Sequence, residues 1–249
     1  MININILYWD MGCDIRKENT IVSWNELKKM TNVFKEKNIN INCYLFEFGD
    51  DFIFDDSIKI PMTIDYYARS EKINISLNHP VNDDCDFIAY MDSDLFFSEE
   101  QYDNLINDIN RLNEKTENIF LTYNLLDINE TDRKSVINLE NKTIDYNKLT
   151  ELKPNFSWRH SYGAGTLGGF FITPTPALKK IGGFDENFLT WGAEDDEAHQ
   201  RIKQYSSWNP KLFEGPYHLY HPKNENNEKF FIPVYSDEYF KINKVKKPI

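Results

Sequence analysis

The stretch Phe87-Ile-Ala-Tyr-Met-Asp-Ser-Asp-Leu95 constrains this chain most. Five largely apolar residues run without polar alternation into Asp92-Ser93-Asp94. Such a run reads as a strand buried on both faces, as in a parallel sheet covered by helices. Its carboxyl end is where open α/β sheets bind ligands. Two aspartates at this spacing can hold a divalent cation, and a cation there can hold a diphosphate. The other reading is that Asp92 and Asp94 only close a turn before a helix that opens at Ser98-Glu-Glu. The pattern by itself leaves both open.

The flanking segments supply the α/β context. Residues 2–8 read as a first strand. Residues 20–37 read as a helix, because Ile21, Trp24, Leu27, Met30, Val33 and Phe34 recur at helical spacing. Residues 42–48 form a second strand, closed by Gly49-Asp50-Asp51. This β-α-β order predicts a parallel sheet with a right-handed crossover. A helix is expected over 66–78, carrying Arg69, Lys72 and Asn74, another over 99–112, and a strand over 119–123. Residues 127–152 are polar and poorly periodic, with a hairpin over 138–146 that turns at Glu140-Asn141-Lys142. No repeat or low-complexity linker appears, so one domain over 1–249 is expected. Its first half, 1–97, ends in the aspartate pair, and 98–249 carries the remaining candidates.

In that second half Gly163, Gly165, Gly168 and Gly169 precede Phe170-Phe-Ile-Thr173. Glycine permits close approach of a backbone or ligand; a plain loop is the alternative. A short helix over 175–181 stops at Gly182-Gly183. Trp191-Gly192 then precedes Glu194, Asp195 and Asp196, which open a helix. Carboxylates are favoured at a helix start by the macrodipole and free amides, so capping alone explains them. An aromatic plate beside carboxylates also suits a sugar, whose ring stacks while a carboxylate takes a hydroxyl proton. His218 and His221, between Pro216 and Pro222, suggest a metal. Positions three apart face opposite sides of a regular strand, so both can ligate one ion only if the backbone turns. A structural pair is the alternative.

Net charge narrows the partners. At −12 the chain is a poor match for nucleic acid, whose binding relies on Lys and Arg neutralising phosphates. A nucleotide stays compatible, because one metal offsets a diphosphate locally. Cys13, Cys43 and Cys85 have neither zinc spacing nor a disulfide pattern and read as buried thiols. The start lacks a charged segment leading into a signal-peptide core, and no apolar run approaches the roughly 20 residues of a membrane helix. A cytoplasmic location is expected, with peripheral membrane attachment as the other reading. The basic stretch 241–247 reads as solvated, or as weakly drawn to an anionic surface.

Taken in order, these pieces resemble the β-1,4-galactosyltransferase family and related bacterial inverting glycosyltransferases of the GT-A fold. The resemblance is strongest from Leu167-Gly-Gly-Phe-Phe-Ile-Thr-Pro through Trp191-Gly-Ala-Glu-Asp-Asp-Glu197, where the family has a Gly-Gly strand, a Gly-Phe turn and W-G-G-E-D. Arg69-Ser-Glu-Lys-Ile-Asn74 is similar to its R-A-x-x-x-N helix, and His218-Leu-Tyr-His221 to its H-x-x-H segment. Ala193 departs from the family glycine. The cysteine pairs and membrane anchor of the animal enzymes are not matched.

The resemblance implies a single mixed, mostly parallel sheet flanked by helices, a Mn²⁺ or Mg²⁺ ion and a UDP-sugar donor. It implies Asp94, His221 and His218 as metal ligands, and Asp195 as the base on the acceptor hydroxyl. Glu194 would bind donor hydroxyls, with Trp191, Gly168, Gly169, Thr166 and Asp196 around the sugars. Asp10, Arg16, Glu47, Asp50, Arg69, Asp92 and Ser93 would cradle the uridine and diphosphate. The small Thr166 would leave room for an acetamide, so Gal, Glc, GalNAc and GlcNAc donors all stay open. The acceptor would be a glycan, a lipid-linked sugar or a protein-linked sugar. A non-catalytic sugar-binding module and a metal-dependent phosphoesterase are the competing readings.

Overall fold

In a computed structural model, residues 1–63, 68–114, 119–152, 155–156, 168–190, 192, 194–211 and 215–222 are described. The chain opens with β1 (Ile2–Trp9), α1 (Asp14–Glu36), β2 (Ile41–Phe48), β3 (Ile58–Ile60) and α2 (Arg69–Leu77). There follow β4 (Phe87–Asp92), β5 (Leu95–Phe96), α3 (Glu99–Glu114), β6 (Ile119–Tyr123) and β7 (Leu126–Ile128). Next come α4 (Glu130–Val136), β8 (Ile137–Asn138), β9 (Thr143–Ile144), α5 (Tyr146–Glu151) and β10 (Asn155–Phe156). The described chain ends with β11 (Phe170–Pro174), α6 (Thr175–Lys180), α7 (Glu194–Ile202), β12 (Ser207–Lys211) and β13 (Tyr217–Leu219).

The main sheet has seven strands in the order β12-β6-β11-β4-β1-β2-β3. It is mixed and mostly parallel, as expected; β11 runs antiparallel to both neighbours. The apolar run in β4 is buried on both faces because successive side chains point to opposite sides. Ala89 and Met91 join the core beneath α1 and α3, with Leu27, Phe34, Leu105 and Ile109. Ile88 and Tyr90 join the other core, with Ile73 and Leu77 of α2 and Ala198 and Ile202 of α7. The result is three layers, with helices on both sides of the sheet. Polar positions in β1 are satisfied locally: buried Asn3 Nδ2 donates to Val81 O at 2.7 Å and to Asn82 Oδ1 at 3.0 Å.

The structure adds what one sheet did not include. A four-stranded sheet, β10-β7-β13-β5, sits beside the main one, and β8 and β9 pair as the expected hairpin. The polar stretch 127–152 is therefore ordered. Asn129 caps α4 by accepting from Asp132 N–H at 2.9 Å, and Asp145 caps α5. Helix α1 begins at Asp14 rather than at residue 20. Among the described residues no helix is long and apolar enough to cross a membrane.

Candidate active site

Three adjacent parallel strands end side by side. Leu7 pairs with Asp92, and Trp9 with Phe48, so β4, β1 and β2 finish along one edge. Asp10 and Asp50 lie just past two of those ends and are exposed. Asp10 Oδ1 accepts from Gly12 N–H at 2.6 Å, a side-chain turn that leads into α1. Glu47 is placed differently. It is fully buried and accepts from Ile53 N–H at 2.5 Å, Phe54 N–H at 3.2 Å and Ser57 Oγ at 2.7 Å. Its carboxylate is engaged by this loop, so what it sets at the edge is the loop's shape.

Past β4, the turn carries half-buried Ser93 and buried Asp94 into β5. Leu219 N–H donates to Asp94 O at 3.0 Å, so the end of β13 hangs directly on that turn. The strand stops at Leu219. Buried Asn19 donates to Leu219 O at 3.3 Å and Tyr220 O at 3.0 Å, and His221 comes round beside His218. This is the backbone turn that two histidines three apart require. Asp94 Oδ1 lies 3.7 Å from His218 Nε2, and Asp94 Oδ2 lies 3.3 Å from His221 Nε2. One ligand atom from each residue falls within 4.8 Å of the others.

Hydrogen bonding sets the state of both rings. Arg16, in the first turns of α1, approaches His221 Nε2 at 3.0 Å and Asp94 Oδ2 at 3.9 Å. A guanidinium only donates, so His221 Nε2 accepts and the proton sits on Nδ1, facing Pro222 O at 3.2 Å. That tautomer leaves Nε2 as the acceptor, and a cation bound there would take the place of the Arg16 N–H. Loss of water lowers His221 to about 4. Burial would lower His218 too, but the Asp94 and Asp127 carboxylates hold it up at about 10. Burial would raise Asp94, yet His218, His221 and Arg16 keep it well below the usual carboxylate range. One carboxylate and two imidazoles form a mixed oxygen and nitrogen donor set that fits a divalent transition metal.

Arg69 forms the second centre. It is 4% exposed. Its Nη2 donates to Asp92 Oδ1 at 2.8 Å and to Gly168 O, and its Nη1 lies 3.8 Å from Glu194 Oε1. Ala68, in the left-handed region at φ 36°, starts α2 and donates its N–H to Leu189 O at 3.0 Å. Five residues after Arg69, Asn74 holds the turn of Gly183 and Phe184 by bonds to Phe184 N–H and Phe184 O, both 2.8 Å. One helix thus ties the aspartate strand to the C-terminal half.

Glu194 is buried at the start of α7 and accepts from Gly192 N–H at 2.8 Å. Loss of water, then repulsion from Asp195, lifts it to about 8, with Arg69 partly opposing. Asp195 is half-buried and accepts from Asp196 N–H at 2.9 Å; Asp196 is exposed. A Cβ at Gly168 would lie 2.0 Å from Asp195 Oδ2, so this carboxylate rests where only glycine leaves room. A Cβ at Gly169 would meet Leu125 at 2.6 Å, and Gly169 O accepts from Asp92 N–H at 2.9 Å. Trp191, Thr166, Ala193, Gly163, Gly165 and the basic stretch 241–247 lie outside the described residues.

Sequence reading missed Asp127, which bonds His218 Nδ1 at 2.8 Å, and Asn19. The apolar–acid–apolar order of Leu126-Asp127-Ile128 is the signal that marks the first as part of a short strand.

Residues 150–222 match a family described as the N-terminal domain of galactosyltransferase. No curated protein sequence matches the chain. Among solved structures, a mutant of Drosophila β1,4-galactosyltransferase 7 in complex with manganese, UDP-Gal and xylobiose is similar over 100% of this chain and 82% of its own, at 14% identity and TM-score 0.53. S. aureus TarS 1–349 in complex with UDP-GlcNAc is similar over 97% and 64%, at 12% identity and TM-score 0.53. GalNAc-T7 with UDP, GalNAc and Mn²⁺ is similar over 98% and 47%, at 11% identity and TM-score 0.54. The expected GT-A fold is the fold of this chain.

Proposed function

We propose that the protein is a divalent-metal-dependent glycosyltransferase that moves a hexose or N-acetylhexosamine from a UDP-sugar to an acceptor hydroxyl with inversion. One observation carries the reading. At the carboxyl edge of β4 a three-ligand cation cluster and the Glu194-Asp195 helix start are joined through Arg69. The complexes of similar fold, one with manganese and UDP-Gal and one with Mn²⁺, UDP and GalNAc, support it.

Asp94, His218 and His221 would hold the cation, and two imidazole donors favour Mn²⁺ over Mg²⁺. Bound there, the cation offsets charge on the leaving diphosphate. Arg16, Asp10, Asp50, Asp92 and Ser93 line the edge for uridine and diphosphate, with Arg16 Nη1 3.9 Å from Asp94 Oδ2. Glu194, tethered to Gly192 and Arg69, orients donor hydroxyls; with its proton retained it can donate as well as accept. Asp195, half-exposed and backed by Gly168, takes the acceptor proton. One base and one in-line displacement give inversion. Trp191 and Thr166 are assigned to the sugars by their positions in the sequence. A two-metal phosphoesterase would need a second ion about 3.5–4 Å from the first. Among the described residues one ligand cluster is found.

The test is UDP release from UDP-galactose, UDP-glucose, UDP-GalNAc and UDP-GlcNAc with Mn²⁺, Mg²⁺ or EDTA. Release from at least one donor, strongest with Mn²⁺ and lost in EDTA, is expected. UDP release that is indifferent to EDTA would overturn the metal-dependent reading.

A further inference from the structure

We propose that Asp127 is a positioning residue for the cation site, fixing the His218 ring so that Nε2 faces Asp94. The inference rests on the metal-site reading above and adds a residue to it. Asp127 on β7 and His218 on β13 stand directly opposite each other in a parallel pair. Asp127 Oδ1 lies 2.8 Å from His218 Nδ1, while His218 Nε2 lies 3.7 Å from Asp94 Oδ1. The ring therefore has one nitrogen toward each carboxylate. An ionised carboxylate only accepts, so Nδ1 carries a hydrogen and donates it to Asp127. Nε2, once its proton has left, is then the atom presented to the cation.

The sheet holds this arrangement rigidly. β7 is an inner strand between β10 and β13. Leu126 and Ile128 on either side of Asp127 are buried, and alternation turns Asp127 to the other face. A slip of one residue would bury the carboxylate and expose two apolar side chains. His221 is held differently: among the described residues its Nδ1 faces the carbonyl of the next residue, Pro222, and its Nε2 accepts from Arg16. At Nδ1, the nitrogen turned away from the cation, His218 thus has a carboxylate across the sheet and His221 a local carbonyl. Partners of this kind change metal affinity by about 10- to 100-fold.

The test measures Mn²⁺ affinity of the full chain by the EPR signal of free Mn²⁺, without any sugar nucleotide. Asp127→Asn and Asp127→Ala should each bind Mn²⁺ about 10- to 100-fold more weakly while melting near the wild-type temperature. Saturating Mn²⁺ should restore most of the rate of UDP release, so that the effect falls on the metal requirement and not on turnover. Asp127→Asn keeps the side chain's size and decides the matter if Asp127→Ala does not fold. Wild-type Mn²⁺ affinity in a folded Asp127→Asn protein would overturn the proposal. Asp94→Ala, run alongside, separates the two levels. If it loses Mn²⁺ while the Asp127 variants keep it, only the role of Asp127 falls. If it too binds like wild type, the cation site itself is misplaced and both readings fall.

Discussion

Arg69 Nη2 donates to Asp92 Oδ1 at 2.8 Å from the first helix position of α2, joining the end of the central strand to a helix that also holds the C-terminal half. The same guanidinium lies 3.8 Å from Glu194 Oε1. Carboxylates crowded at one site repel, and a planar fork with several donors can face both sides at once. Arg69 is therefore a keystone of the site as well as a candidate ligand contact.

Removing it should cost stability as well as activity. Arg69→Ala leaves the Asp92 carboxylate and the Gly168 carbonyl without their donor, and a hydrogen bond to a charged group is worth about 1.5–3 kcal/mol. Urea denaturation at pH 8, without metal, should show a loss of that order. Arg69→Lys keeps the charge but loses the fork, so it should retain more stability than Arg69→Ala. A loss under about 1 kcal/mol for Arg69→Ala would show that the pair is worth no more than an exposed one.

Asp195→Asn removes the proposed base with little change in shape. A general base typically contributes about 10²–10⁴-fold, so turnover should fall by that factor while UDP affinity in Mn²⁺ stays near wild type. Steady-state transfer and calorimetric UDP binding check both halves. Undiminished turnover would move the base elsewhere.

Gly168→Ala tests the packing behind that base. The new methyl group would fall 2.0 Å from Asp195 Oδ2, so the carboxylate must move. Misplacing a catalytic group by about 1 Å can cost on the order of 10²-fold. Turnover should drop by about that much in a protein that still folds and binds UDP. An unchanged rate would show that Asp195 can shift without consequence.

Acid should destabilise the fold through His199. It is fully buried on α7 against Phe171 and Phe120, with ring centroids 4.9 and 5.6 Å away. Neither ring nitrogen has a hydrogen-bond partner among the described residues, and loss of water lowers the group from 6.5 to about 4. The unfolded chain therefore binds the proton at higher pH than the fold does. This contribution is fully present above pH 6.5 and is lost as pH falls toward 4, by about 3 kcal/mol. Denaturation curves from pH 7 to pH 4 should show His199→Phe losing less stability than wild type. Equal slopes would contradict the assignment.

The parts of the fold that could be read from residues are those with enough repeats of a pattern. β4 was legible because its apolar run is unbroken, and α1 because its apolar face recurs over several turns. The start of α1 was not, because residues 14–19 are mostly polar and carry Arg16 and Asn19 into the site instead of an apolar stripe. The four-stranded sheet was hidden for another reason. Its strands β5, β7, β10 and β13 have two or three residues each, too few to display alternation. Asp127 sits in one of them, which is why the partner of His218 escaped notice while His218 itself did not. Arg69 stands out on its helix, but no local pattern says that a helix-start arginine will reach residues 92, 168 and 194.

The most direct measurement is a calorimetric titration of UDP into the wild-type protein and Asp94→Ala, each with Mn²⁺ and with EDTA. The account predicts that wild type binds UDP with Mn²⁺ and at least tenfold more weakly in EDTA, and that Asp94→Ala binds weakly in both, because a carboxylate ligand to the cation is gone. UDP binding by wild type that is equal in Mn²⁺ and EDTA, or equal in the two proteins, would contradict it.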